Sequence, residues 1–273
     1  MIEVKNISFS YGRRLVLKDM SFTMKEGESV CILGANGCGK TTLLKTILGL
    51  LAPQSGKVFL YGEDIHKMDE KTLAKKIAYI PQNHVPPFPF TVMDVVLMGR
   101  TPHMNRYYRP TANDKNIAID ALSSLGIMSF ASRKYTELSG GQRQMVIIAR
   151  AIAQQAKILV MDEPAASLDF GNQYLMLEQM LRLTKQKISI LMVTHNPDHA
   201  LYCANRVVAM QDGRVVSEGN IKEVMNERVL HSIYGMNVKV CGVDVGGKDD
   251  MTVCVPLPNT FDQDDGQYSL ISS

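Results

Sequence analysis

The sequence predicts an α/β fold: a layered, largely parallel sheet with an N-terminal antiparallel β subdomain and an all-helical insert. Three observations predict it. Residues 2 to 25 alternate apolar and polar positions (Ile2, Val4; Leu15, Leu17; Phe22, Met24) around YGRR, the pattern of half-buried antiparallel strands. The apolar runs SVCIL (29–33), KILVMD (157–162), KISILMVTH (187–195) and RVVAMQDGRVV (206–216) read as strands, and from 157 onward helix-length segments separate them. Strands alternating with helices build a parallel sheet. Between residues 86 and 155 helical signals replace the strand pattern.

In chain order, the antiparallel strands end at Glu26-Gly27-Glu28 and SVCIL is a buried strand. A glycine-rich loop follows, then TLLKTILGLL, a helix expected to stop near Pro53. KVFLYGEDI alternates again, and KTLAKKIAYIPQ predicts a helix and a short strand reaching Gln82. NHVPPFPF (83–90) carries three prolines and reads as an extended linker. Thr91 with Asp94, and Thr111 with Asp114, match the Ser/Thr-x-x-Asp/Glu helix-start signal and open two helices. The expected organisation is a core in two parts (1–85 and 156–225), the helical insert (86–155) and a C-terminal extension (226–273).

In that extension, NVKVCGVDVGGKDDMTVCVPL predicts a hairpin turning at Gly247-Lys248, with Cys241 opposite Cys254. A disulfide between them is open; two reduced thiols suit the expected compartment better. The polar tail NTFDQDDGQYSLISS is expected to be disordered.

Composition bounds the function. Hydrophobic content of 45% and charge of 21% are those of an ordinary globular protein. No run of 18 apolar residues appears, which argues against a transmembrane helix. MIEVKNISFSYG lacks the apolar stretch of a signal peptide. A net charge of +3 gives no argument for nucleic acid. Five cysteines, an odd number without a CxxC pair, suit a reducing cytoplasm. Most of the 17 methionines are best read as adaptable core filler.

GANGCGKTT (34–42) follows a strand and opens a helix, matching G-x-x-x-x-G-K-S/T. Bare backbone N–H groups at a helix N-terminus face a phosphate, and the helix dipole adds to their pull. Gly34, Ala35, Asn36, Gly37, Cys38 and Gly39 thus form a phosphate-binding loop. Lys40 reaches the β/γ-phosphates, Thr41 offers a hydroxyl to Mg²⁺, and Thr42 completes the motif. Chance gives this pattern in roughly 1% of chains this long, so a plain glycine-rich turn is a poor alternative.

KILVMDEP carries Asp162 to the end of a buried strand, where a carboxylate can hold Mg²⁺. Glu163 stands where it can polarise an attacking water. Without the phosphate loop, Asp-Glu-Pro would be equally well read as a strand end before a turn. His195 closes an apolar run and, beside a nucleotide, suits contact with the γ-phosphate and the water. His195 and His199 are spaced like a metal pair, but Pro197 between them and the missing third ligand argue against zinc. Gln82 reads either as a turn amide or as a sensor of Mg²⁺ and γ-phosphate that moves the helical insert.

ELSGGQRQMVIIARAIAQQ (137–155) poses a question. Met145, Ile148, Ala149 and Ile152 form a helical apolar stripe, and Ser139 with Gln142 reads as a capping box. Gly140 and Gly141 nevertheless occupy the first turn, at a cost of about 0.8–1 kcal/mol each in a helix interior and less at an end. A cap explains Ser139 and Gln142 but not two glycines.

Together Gly34–Thr42, Gln82, LSGGQ, Asp162-Glu163, SLD (167–169) and His195 resemble the ATPase subunit of an ABC transporter, over residues 1 to about 235. The resemblance implies a P-loop NTPase fold, ATP and Mg²⁺ as ligands, and Thr41, Gln82 and Asp162 around the metal. It implies that Tyr11 stacks on adenine, although an exposed hairpin aromatic is the plainer reading of that residue. In the family the LSGGQ lobe points away from its own phosphate loop. Ser139, Gly140, Gly141 and Gln142 are therefore expected to serve the ATP of a second copy packed head to tail, with Asp169 across the seam. The glycines bare a second phosphate-binding helix end for a partner's ATP.

The implied mechanism is in-line attack of water on the γ-phosphate, with Lys40, Glu163, His195 and Gln82 as catalytic residues. Separate integral membrane permease subunits are expected to receive the motion, placing the chain peripherally at the cytoplasmic face of the membrane. TVMDVVLMGRTPH (91–103) followed by YYRPTANDK resembles importers of iron–siderophore complexes, haem and cobalamin, with molybdate or tungstate importers close. A substrate-binding protein is then an indirect partner. The rival class is a soluble non-transport ABC ATPase, such as an iron–sulfur assembly factor.

Overall fold

A computed structural model of the chain describes residues 1–82, 89–104, 109–246 and 251–258. β1 (Ile2–Tyr11) and β2 (Arg14–Met24) pair antiparallel, with Tyr11 opposite Arg14. β3 (Ser29–Gly34), buried throughout, runs into the glycine loop and α1 (Lys40–Ile47). α1 ends well short of Pro53. The amides of Gly49 and Leu50 bond back to the carbonyls of Thr46 and Lys45, a Schellman closure that stops the helix where the glycine falls.

β4 (Ser55–Leu60) and β5 (Glu63–Asp64) complete a four-stranded sheet of order β2-β1-β4-β5. α2 (Glu70–Lys76) leads into β6 (Ile77–Ile80), which brings the chain to Gln82. The expected linker falls mostly outside the described residues. Beyond it lie α3 (Val92–Leu97), α4 (Ala112–Ser124) and α5 (Gly140–Ala153).

The capping boxes at Thr91/Asp94 and Thr111/Asp114 are both made, each partner satisfying the other's backbone N–H. Buried Arg100 fastens this helical segment. Its guanidinium donates to Asp114 Oδ1 at 2.9 Å, to the Ala153 carbonyl at 2.8 Å and to Gln155 Oε1 at 3.0 Å. Removing one partner of such a buried pair costs about 3–5 kcal/mol, because the other charge is left unmatched.

β7 (Ile158–Asp162), α6 (Phe170–Lys185), β8 (Ser189–Thr194), α7 (Pro197–Cys203) and β9 (Arg206–Gln211) follow as expected, with His195 just past the end of β8. RVVAMQDGRVV is not one strand. It folds as a hairpin of β9 with β10 (Arg214–Asn220), turning at Asp212 and Gly213, both at positive φ. Asp-Gly is the residue pair such a turn demands. The second sheet has the order β10-β9-β3-β8-β7-β6, parallel from β9 to β6 with β10 antiparallel at its edge.

Successive residues of the parallel strands enter different layers. Val30, Ile32, Val160 and Val193 pack with α1 and the antiparallel sheet. Cys31, Leu33, Met161 and Met192 pack with the helices of the other face. The period of two in a strand thus turns one buried sheet into two cores.

α8 (Ile221–Val224) and α9 (Glu227–Tyr234) precede a separate two-stranded hairpin of β11 (Val238–Val243) and β12 (Met251–Pro256). The hairpin is the one expected, but the register is not. Cys254 faces Val240 and Cys241 faces Val253, so the two cysteines point to opposite faces of the ribbon and both are free thiols. One residue of slip is enough. The expected turn and the tail lie outside the described residues.

Candidate active site

The phosphate loop takes its shape from its glycines. Gly39 precedes α1 at φ 108°, a left-handed conformation that a side chain would strain, and no side chain caps the helix. The first amides of α1 are thus left to an external acceptor. At Gly34 a Cβ would lie 2.6 Å from the Met210 carbonyl oxygen and 2.7 Å from Cys38 Sγ. Asn36, Gly37, Gly39, Lys40, Thr41 and Thr42 line a cleft of about 540 Å³, together with Tyr11, Gln82 and Glu163. Gly34, Ala35 and Cys38 form the loop behind it and are not among the lining residues.

Lys40 is 5% exposed and curls over the loop, donating to the carbonyls of Gly34 (2.8 Å) and Ala35 (3.0 Å). Its Nζ stands 3.6 Å from Glu163 Oε1. The other carboxylate oxygen of Glu163 accepts from Gln82 Nε2 at 3.1 Å and lies 3.2 Å from His195 Nδ1. One carboxylate gathers three of the expected residues. Glu163 itself has φ 46°, unusual for a residue with a side chain, and its amide is tied to the Val193 carbonyl at 3.0 Å.

Thr41 Oγ1 donates to Asp162 Oδ1 at 3.2 Å, joining α1 to the end of β7. Asp162 is buried, and burial pushes its pKa up, with Thr41 opposing and the Glu163 charge adding. A hydroxyl and a carboxylate are hard oxygen donors of the kind Mg²⁺ takes beside substrate phosphates and water, so these two residues fit that ion. Gln82 lies beyond them, with its amide nitrogen on Glu163. His195 and His199 do not converge: His199 Nε2 lies 3.3 Å from Gln173 Oε1, while His195 faces Glu163. Among the described residues no cluster of three or more His, Cys, Asp or Glu could hold a metal.

The family model for the ABC transporter matches residues 17–166. The chain belongs to the ABC transporter family. It is an ATP-hydrolysing ABC subunit, and at 42% identity over 86% of its length it is similar to an uncharacterized ABC transporter ATP-binding protein of Haemophilus influenzae, 89% of which is covered. It is 35% identical to the iron(3+)-hydroxamate import ATP-binding protein FhuC of Bacillus subtilis, over 88% of this chain and 89% of that one. A solved inward-facing ABC transporter assigned to the metal-chelate type superposes with a TM-score of 0.84 at 31% identity, covering 95% of this chain and 98% of that one. Among the described residues no helix is long and apolar enough to cross a membrane.

The ABC signature LSGGQ starts α5. Both halves of its capping box are made, Gln142 N–H to Ser139 Oγ at 3.3 Å and Ser139 N–H to Gln142 Oε1 at 3.1 Å. The glycines between them are not required by the chain's own packing. A Cβ on Gly140 would meet nothing nearer than the Ser167 carbonyl at 3.9 Å, and on Gly141 nothing nearer than Leu168 Cδ2 at 3.4 Å, an ordinary contact. Asp169 caps α6, accepting from the amide of Asn172 at 2.9 Å and from its side chain at 2.7 Å. Neither Asp169 nor residues 139–142 line the cleft of their own chain.

Arg14 and Val16 line the cleft and went unrecognised in the sequence. The YGRR turn held the signal, since a tight hairpin there must set Arg14 across from Tyr11. Tyr11 is 50% exposed, with its ring edge-on to Phe9 at 4.9 Å.

Proposed function

We propose that this ABC subunit energises import of a metal chelate through separate membrane permease subunits, as a head-to-tail homodimer at the cytoplasmic face of the membrane. An iron–siderophore complex is the favoured cargo; haem, cobalamin, and molybdate or tungstate are its neighbours in the same group. A substrate-binding protein delivers the cargo to the permease. The helical insert after Gln82 passes the motion on.

The observation that carries the hydrolytic half is the meeting of Lys40, Gln82 and His195 at the Glu163 carboxylate. On binding ATP, Lys40 leaves its backbone carbonyls for the β/γ-phosphates, and the amides at the start of α1 accept the phosphate charge. Glu163 polarises the attacking water and His195 holds the γ-phosphate side of it. Gln82 reports the state of that carboxylate to the insert. Asp162 and Thr41 are the residues that would hold Mg²⁺, which when bound would supply positive charge against the phosphates. Tyr11 supports the adenine by stacking.

The head-to-tail dimer is supported by what the chain leaves uncovered. Cassettes of this family form dimers. α5 offers a helix end with bare glycines that does not line its own cleft, and Ser139 and Gly140 are exposed. A partner's ATP is the anion that suits it, with Asp169 beside it across the seam. The cargo reading rests on likeness to subunits named for iron-chelate import.

Cells lacking this chain, given back the wild type or Glu163→Gln, test it by uptake of labelled ferric hydroxamate, haem, cobalamin and molybdate. Loss of ferric-chelate uptake with Glu163→Gln is expected. Unchanged uptake of all four contradicts the transport reading.

A further inference from the structure

Tyr234, the last residue of α9, places its hydroxyl 2.7 Å from the main-chain carbonyl oxygen of His195. Burial pushes the phenol pKa up, so the hydroxyl keeps its proton and donates. A second tie lies one turn further on. The backbone amide of Cys254, on β12, donates to Asp198 Oδ1 at 2.8 Å, in the first turn of α7. α7 has seven residues, too few to hold its own conformation in water. Where it begins, and how the residue before it is turned, therefore depends on what it is fastened to.

These bonds are not needed to dock the extension. Leu230, Ile233 and Val238 are buried in the main core and attach α9 and β11 by apolar packing. One polar tie instead reaches the stretch that joins the end of β8 to α7, His195 and Asn196, and the other reaches the first turn of α7 itself. A carbonyl held from outside fixes the peptide plane after His195, and with it the direction from which the imidazole approaches Glu163.

We propose that the C-terminal unit, α9 with β11 and β12, is a positioning device for His195, and that the Tyr234 hydroxyl is its working contact. Tyr234 does not line the cleft; it acts through His195, and so rests on the catalytic reading of that residue. A catalytic group misplaced by about 1 Å costs up to roughly 100-fold in rate, and loss of one restraining hydrogen bond costs less.

The test is ATP hydrolysis by the full chain carrying Tyr234→Phe, which keeps the ring and its packing and removes only the donor. The expected result is a kcat lower by roughly 3- to 10-fold, the equivalent of one neutral hydrogen bond, with KM for ATP unchanged. The same substitution in a His195→Ala background should leave the residual rate untouched, a result a merely structural role would not give. Wild-type kcat in Tyr234→Phe overturns the inference, as does an equal loss in both backgrounds. If His195→Ala itself keeps wild-type kcat, the catalytic reading of His195 fails and takes the inference with it, and the single variants distinguish that case.

Discussion

Gln82 Nε2 donates to Glu163 Oε2 across 3.1 Å, joining the segment that enters the helical region to the carboxylate beside the phosphate loop. Lys40 and His195 meet the same carboxylate, so a shift of Gln82 alters the surroundings of Glu163, while Lys40 keeps its own bonds to the Gly34 and Ala35 carbonyls. Gln82→Ala should therefore leave ATP affinity within about twofold while lowering kcat by roughly 10- to 100-fold, the range of one charge-assisted hydrogen bond. Nucleotide titration alongside steady-state hydrolysis separates the two. A loss of affinity with unchanged kcat contradicts the role given to Gln82.

Asp162 carries a stability cost for its function. Its folded pKa is raised, chiefly by burial, so its ionised form is disfavoured in the folded chain. That penalty is full above the folded pKa and fades as pH falls toward the ordinary value of 3.8. Asp162→Asn should keep or raise the melting temperature of the nucleotide-free protein at neutral pH. It should also abolish hydrolysis and the extra thermal stabilisation that Mg²⁺ adds to ATP. Thermal melts with ATP, with and without Mg²⁺, check both halves.

His199 predicts a pH dependence of the opposite kind. Burial pushes its pKa below 6.5, Asp198 opposes the shift and His195 adds to it. Between the folded value and 6.5 the unfolded chain binds the extra proton, so stability is lost as pH falls through 6.5. His199→Gln, neutral and still able to pair with Gln173, should flatten the melting-temperature profile below that pH. An unchanged profile places the acid sensitivity elsewhere.

Gly140 and Gly141 separate folding from function. Because a Cβ at either position meets no close neighbour in the chain, Gly→Ala there should stabilise the fold by up to about 1 kcal/mol per site through the unfolded state. The same changes should sharply reduce ATP hydrolysis if, as proposed, a partner's phosphate approaches this helix end. A stabler protein with full activity contradicts the assignment of the glycines to a partner.

The phosphate loop, Asp162, Glu163 and His195 were legible because phosphate chemistry needs particular residues at fixed steps from a strand end. Helix starts at Thr91, Thr111 and Ser139 were legible for a similar reason, since a cap and its partner lie three residues apart. Features depending on distant segments were not. Nothing local in Tyr234 says that its hydroxyl reaches His195. The Cys241–Cys254 register failed because the expected turn was fixed by residue type alone, and one step moves a side chain to the other face. The β9–β10 turn was missed despite its Asp212-Gly213 signal, because VVAMQ and RVV read as one apolar run.

The shared site is tested most directly by light scattering on Glu163→Gln with and without ATP-Mg²⁺. The substitution keeps the shape of the side chain and removes the carboxylate proposed to polarise the water, so bound ATP should not be consumed. ATP should convert monomer to dimer, and adding Ser139→Arg at the start of α5 should abolish the conversion without abolishing ATP binding. A dimer that forms equally well with Ser139→Arg, or a protein that binds ATP and stays monomeric even with its membrane subunits present, contradicts it.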